Sequence, residues 1–230
     1  MNIATLAPDI AQDIIAKSRS TPPAPAPVQY RLTTAHIDAS LPPEYRGAMA
    51  KRALIDATED HHTILISGPP GTGKTRQLWG IVRWWRMSEA KRIGVRSVPY
   101  DLDVRRKWAV PGIDTWAEGV CKSMEQRQPI VIMSESSDIR ANRFDRDWLA
   151  SVCADRRWLA IDDIGCVRPD QWVQEAVYEI ATQRRKNQYG TIWTTNLSGD
   201  ELREQYGAAI ASRLMGGKVF ELDGNDRRTT

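Results

Sequence analysis

The chain has few cysteines, little net charge and no long hydrophobic run. Its three cysteines, Cys121, Cys153 and Cys166, form no C-x-x-C pair. Neither a zinc ribbon nor a disulfide framework is therefore indicated, and a reduced compartment is expected. A formal net charge of +3 permits a nucleic-acid partner without demanding one, so any basic patch must be local. No apolar run approaches the ~18 residues of a membrane-spanning helix. Asp9 and Asp13 also stand where a signal peptide would be apolar. These absences argue against secretion and membrane insertion and point to the cytoplasm. What is present is a 41% hydrophobic share of 230 residues, enough for one domain core.

Near the N-terminus, Ile3, Leu6, Ile10 and Ile14 recur at helical spacing, with Pro8 suited to a first turn. Residues 20–29, STPPAPAPVQ, cannot continue that helix and read as an extended, semi-rigid spacer. The expected organisation is a tethered helix over 1–19, a Pro-rich linker over 20–29 and a main domain over 30–230. The apolar face of so short a helix needs either its own domain or a partner to cover it.

The main domain alternates strand-like and helix-like segments. A helix is expected over EYRGAMAKRALIDATE, then strands at TILIS (63–67), PIVIMS (129–134), RWLAID (157–162), GTIWTT (190–195) and KVFEL (218–222). The clearest helix follows Asp170. Trp172, Val173, Ala176, Val177 and Ile180 share a face, Arg184, Arg185 and Lys186 suit the C-terminal dipole, and Gly190 is placed to stop it. Such alternation predicts an α/β fold with a mostly parallel sheet. Residues 89–113 have no clean period and read as an inserted basic arm.

The chemistry begins at GPPGTGKT. Gly68, Gly71 and Gly73 allow consecutive N–H groups to face phosphate oxygens, Lys74 can reach the β and γ phosphates, and Thr75 can ligate a magnesium ion. The loop follows a strand and opens an amphipathic helix, the context a Walker A loop requires. A carboxylate-bearing strand is expected beside this first one, and WLAIDDIG supplies Asp162 for the metal and Asp163 to orient or deprotonate water. Asn196, leaving the strand GTIWTTN, either fixes that water or is a turn residue. Arg213, on the segment AAIASRLMGG, either stabilises a neighbouring subunit's phosphoryl group or is a plain surface arginine.

In this order, GPPGTGKT, IDDIG, TTN and IASRL resemble the motif series of AAA+ ATPases. Among these the chain is most similar to replicative-helicase loaders of the DnaC/DnaI type and to the related IstB-type transposition helpers. The resemblance implies a P-loop αβα core with a five-stranded sheet. The eight residues after the last expected strand are too few for the helical lid of many AAA+ proteins, so no separate C-terminal lid domain is expected, which suits the loaders. The resemblance further implies ATP and Mg2+ as cofactors and ATP-linked self-assembly with an arginine finger in trans. The implied partners are single-stranded DNA and a hexameric replicative helicase. By motif, Gly68, Pro69, Pro70, Gly71, Thr72, Gly73, Lys74, Thr75 and Arg76 would cradle the nucleotide, with Thr75 and Asp162 holding the metal. Asp162 and Asp163 would be Walker B, Asn196 sensor 1, Arg213 the finger, and Arg228, with Arg227 as its rival, sensor 2. Asp163 stands where many AAA+ motors have Glu, and the shorter acid suits a switch more than a motor.

The resemblance therefore implies an ATPase that loads a replicative helicase in a bacterial cell, encoded by a phage or mobile element to judge from its compact form. A transposition helper shares every core motif, a P-loop small-molecule kinase would need neither Arg213 nor the TTN strand, and a scaffold would bind ATP without turning it over. Two clusters offer DNA contacts. Arg105, Arg106, Lys107 and Trp108 set basic charge beside a stacking ring, while Arg83, Trp84, Trp85 and Arg86 lie on a helix where Trp is more often core. The His61-His62 pair has no further ligand spacing, and no metal role is expected of it.

Overall fold

The apolar runs of this sequence are four to seven residues long and alternate between two faces, so each strand can bury helices on both sides of a sheet. A computed structural model describes residues 28–93, 95–98, 113–127 and 130–223. In chain order it begins with β1 (Val28–Arg31), α1 (Thr34–Ala39), a 3-10 turn at Pro43–Tyr45, α2 (Arg52–Asp60), β2 (Thr63–Ser67) and α3 (Lys74–Ile93). Then come β3 (Val95–Val98), α4 (Ile113–Arg127), β4 (Ile130–Ser134), a π-helical turn at Glu135–Ile139, α5 (Arg146–Ala154) and β5 (Trp158–Ile164). The order ends with α6 (Gln171–Lys186), β6 (Thr191–Thr195), α7 (Gly199–Tyr206), α8 (Ala208–Met215) and β7 (Lys218–Glu221).

Five strands form one all-parallel sheet in the order β4-β5-β6-β2-β7, and β1 pairs antiparallel with β3 in a separate ribbon. The period of two sorts side chains between two cores. Ile64 and Ile66 of β2, Ala160 of β5 and Ile192 of β6 pack with Leu54 of α2 and Leu78, Ile81 and Val82 of α3. Their alternating neighbours Leu65, Leu159, Ile161 and Trp193 pack on the other face with Val173, Val177 and Ile180 of α6 and Leu214 of α8. This is the αβα sandwich that the alternation and the resemblance led us to expect. Asp170 caps α6, its Oδ1 accepting from Val173 N at 3.0 Å.

Several local expectations are corrected. The acid-bearing strand is not beside the P-loop strand, because β6 pairs with both β2 and β5 and separates them. The helix expected over 44–59 is broken, with Gly47 at φ +68° and regular structure resuming only at Arg52. The cause is packing, since the Met49–Ala50 backbone lies against Gly80 of α3 and Lys51 N donates to Gln77 Oε1 at 2.8 Å. Val28 and Gln29 of the expected linker are strand residues, and the ends of the 89–113 arm belong to α3, β3 and α4. The N-terminal helix over 1–19, the linker to residue 27, Arg105, Arg106, Lys107 and Trp108 lie outside the described residues.

Arg83 and Arg86 serve the fold. Arg83 Nε donates to Asp38 Oδ1 at 2.6 Å, and the buried Arg86 donates from Nη1 to the carbonyl and hydroxyl of Ser40. The end of α6 also differs from expectation. The helix ends at Lys186, not at Gly190, where an added Cβ would meet the Trp158 ring at 2.2 Å. Arg184 is fully buried instead of facing solvent at the helix terminus. Its Nε donates to Thr191 Oγ1, its Nη1 to the carbonyls of Val152 and Asp155, and its Nη2 to those of Arg157 and Gly190, at 2.6–3.0 Å. One side chain thus closes the loops at the strand-start edge of the sheet. Arg184→Met removes five donated hydrogen bonds, three of them fully buried, and is expected to cost at least about 3 kcal/mol in urea unfolding. A loss below about 1 kcal/mol would contradict this role.

Candidate active site

The loop from β2 into α3 is shaped by its glycines, with Gly68, Gly71 and Gly73 at φ +147°, +78° and +91°. At Gly68 close approach adds a second reason, because a Cβ there would sit 2.3 Å from the Leu222 carbonyl oxygen. Lys74, the first residue of α3, is 6% exposed, and its Nζ donates to the carbonyls of Gly68 and Pro69 at 2.7 and 2.8 Å. Thr72 turns inward and donates to Pro69 O at 2.8 Å, bracing the loop. A cleft of about 610 Å³ opens over the loop, lined by Pro70, Gly71, Gly73, Lys74, Thr75, Arg76, Asp163 and Asn196.

The acids sit in a bulge. Ile161 pairs with Trp193 and Ile164 with Thr195, so Asp162 and Asp163 together oppose the single residue Thr194. Thr194 is fully buried, and its hydroxyl serves both acids: Oγ1 donates to Asp162 Oδ1 and accepts from Asp163 N at 2.8 Å. Asp163 takes the left-handed φ of +61°, a conformation that aspartate tolerates better than most residues. Thr195 Oγ1 holds the next carbonyl, Ile164 O, at 2.8 Å, and Asn196 Nδ2 donates to Asp163 Oδ1 at 3.0 Å. The strand TTN therefore grips the acid turn with all three side chains.

The metal question turns on Thr75 and Asp162. Thr75 Oγ1 donates to Asp162 Oδ2 at 2.7 Å, which puts a hydroxyl and a carboxylate oxygen together at the foot of the cleft. Two hard oxygen donors suit a magnesium ion that keeps its remaining positions for phosphate and water. Among the described residues, no group of three or more His, Cys, Asp or Glu could hold a metal by itself. His61 and His62 are exposed at the start of β2.

The structure thus brings Lys74, Thr75, Arg76, Asp162, Asp163 and Asn196 to one end of the sheet. Arg213 is elsewhere. On α8 its Nε donates to Thr182 Oγ1, its Nη1 to Ala209 O and its Nη2 to Tyr178 Oη, and its guanidinium carbon lies 4.3 Å from the Tyr178 ring centroid. It does not line its own chain's cleft. Arg227 and Arg228 lie outside the described residues. Sequence reasoning gave a role to Asn196 of TTN but none to Thr194 and Thr195. It also missed Glu44 and Tyr45, which line the cleft and were read as helix. Arg76 holds that segment by donating to Glu44 O at 3.2 Å, and Tyr45 stacks on Trp79 at 5.4 Å between ring centroids.

No protein-family model matches the sequence, and comparison with curated proteins finds no match. Solved structures do match. The DnaC helicase loader aligns with TM-score 0.50 and 18% identity over 78% of this chain and 99% of that one. DnaI aligns with TM-score 0.52 and 15% identity over 84% and 100%. The replication initiator DnaA bound to AMPPCP and single-stranded DNA aligns with TM-score 0.52 and 16% identity over 80% and 51%. The chain thus spans about half the length of that DnaA structure. At these identities the likeness is one of fold, a five-stranded parallel sheet flanked by helices.

Because one hydroxyl serves two acids, Thr194→Val is expected to lower stability by about 1–3 kcal/mol. Thr194→Ser should retain most of the parental value. Equal unfolding midpoints for Val and parent would show that the hydroxyl carries nothing.

Proposed function

We propose that the cleft binds ATP with Mg2+ and hydrolyses it, and that the chain uses this cycle to load a hexameric replicative helicase onto single-stranded DNA. The observation that carries the reading is convergence: Walker A residues, the caged acid Asp163 and Asn196 line one cleft. The likeness in fold to DnaC and DnaI supports the choice of partner, and the DnaA complex with AMPPCP and single-stranded DNA supports the ligands.

In this reading the phosphates take over the Lys74 contacts that the carbonyls of Gly68 and Pro69 now hold. Backbone N–H groups of the loop and the start of α3 add positive potential. The nucleoside lies toward Glu44 and Tyr45. Thr75 and Asp162 hold the magnesium ion, which when bound neutralises phosphate charge. Asp163, fixed in rotation by Asn196, accepts a proton from the attacking water or orients it. Arg213, anchored on α6 outside its own cleft, serves the nucleotide of a second copy, so the site is completed by assembly.

The first test is ATP turnover with and without single-stranded DNA, together with co-purification of the full chain with a replicative helicase. Turnover without helicase association would move the reading to a transposition helper, and no turnover would remove the hydrolase. The shared site has its own test in a mixture of two inactive variants. Lys74→Ala removes the phosphate contact, and Arg213→Ala is expected to lower turnover by roughly 10³-fold with nucleotide binding kept. Mixed together, they rebuild one complete interface and should exceed the sum of their separate rates. A mixture no faster than that sum would contradict an arginine supplied in trans.

A further inference from the structure

Glu135 is a fully buried carboxylate outside the set of residues that line the cleft. It opens the π-helical turn directly after β4, whose last residue, Ser134, pairs with Asp162. Its Oε2 accepts from Gly165 N at 2.9 Å and from Tyr206 Oη, and its Oε1 accepts from Arg140 Nη2 at 2.9 Å. The same Arg140 nitrogen donates to Val167 O at 3.0 Å. Four segments therefore meet on one carboxylate: the end of β4, the turn after Asp163, the last residue of α7, and the loop beyond the turn.

Burying a charge is unfavourable, and an apolar residue fills a core at less cost, so an ion pair in this position suggests a demand beyond packing. The demand is geometric. Asp163 N is held by Thr194, Ile164 O by Thr195 and Gly165 N by Glu135. Of these three clamps, Glu135's is the one that also holds Tyr206. The phenol stays protonated as the donor, because burial and then the Glu135 charge push its ionisation up. Tyr206 adjoins Gly207, at φ +81°, which is the N-cap of α8, the helix that carries Arg213.

We propose that Glu135 and Tyr206 are positioning residues for ATP hydrolysis, linking the turn that aims Asp163 to the α7–α8 hairpin that presents Arg213 to the next subunit. This role rests on the proposed ATPase reading. A change in the acid turn on nucleotide binding would be passed through Oε2 to Tyr206 and so to the pivot before α8. The arrangement gives one subunit's occupied cleft a direct route to the arginine it offers its neighbour.

The test uses the full chain with Tyr206→Phe, which keeps the ring and removes one donor, and Glu135→Gln, which keeps shape and removes charge. Each is expected to lower kcat for ATP by about tenfold or more while KM and nucleotide affinity stay within about twofold of parent. In a double-mutant cycle, Tyr206→Phe should blunt the effect of Arg213→Ala, so that the combined loss is smaller than the product of the two. Parental kcat in Tyr206→Phe overturns the role, as does a lowered melting temperature with kcat unchanged in the folded fraction, which marks a merely structural contact. Strictly multiplicative losses overturn the link to α8. A parent that neither binds nor turns over nucleotide sinks the ATPase reading and this role together, whereas an active parent with active variants sinks this role alone.

Discussion

One hydroxyl sets the geometry on which the candidate active site depends. Thr194 Oγ1 binds the side chain of Asp162 and the backbone of Asp163 at once, from a strand that separates the P-loop strand from the acid strand. If β5 lay directly beside β2, nothing could intervene. The inserted strand makes room for a two-against-one bulge, and the bulge turns Asp163 out of the pleat toward the cleft while Asp162 remains within reach of Thr75. Positive φ at Asp163 is tolerated because its neighbours over-determine it, the condition under which strained backbone persists at a working site.

The two ends of the sheet are held in different ways. At the end where strands begin, Arg184 bonds three loop carbonyls and one in the last turn of α5, and apolar clusters cover both faces of the sheet. At the end where strands finish, side-chain hydrogen bonds replace packing, with Thr194, Thr195, Asn196 and Glu135 each gripping the acid turn. Apolar packing supplies the rigid base, and directional bonds supply aim where atoms must be placed to fractions of an ångström. Open α/β sheets leave their ligand crevice at the strand ends for the same reason.

Much of this was legible in the sequence because it depends on local pattern. The glycine turns of the loop between β2 and α3, the five strands and the cap of α6 by Asp170 follow from spacing, turn chemistry and alternation within short windows. What escaped reading depends on partners distant along the chain. Glu135, at the head of a short polar turn, looks like a solvated acid until Gly165 and Tyr206 close on it. Arg184 looks like a helix-end base until loops from two other elements wrap it. The break at Gly47 was lost for a similar reason, since helical propensity in EYRGAMAKRALIDATE gives way to a backbone lying against Gly80. Strand order was equally hidden, because chain order does not state which strand lies between two others.

The proposed role of Asp163, held in the bulge, is that of the base in a nucleotide-hydrolysing cleft. It is tested most directly by measuring ATP turnover and nucleotide affinity on the same preparation of Asp163→Asn, a change that keeps size and removes the basic carboxylate. The expected result is affinity within about twofold of the parent and turnover lower by roughly 10²-fold or more. Turnover close to the parental rate, with affinity unchanged, would contradict it.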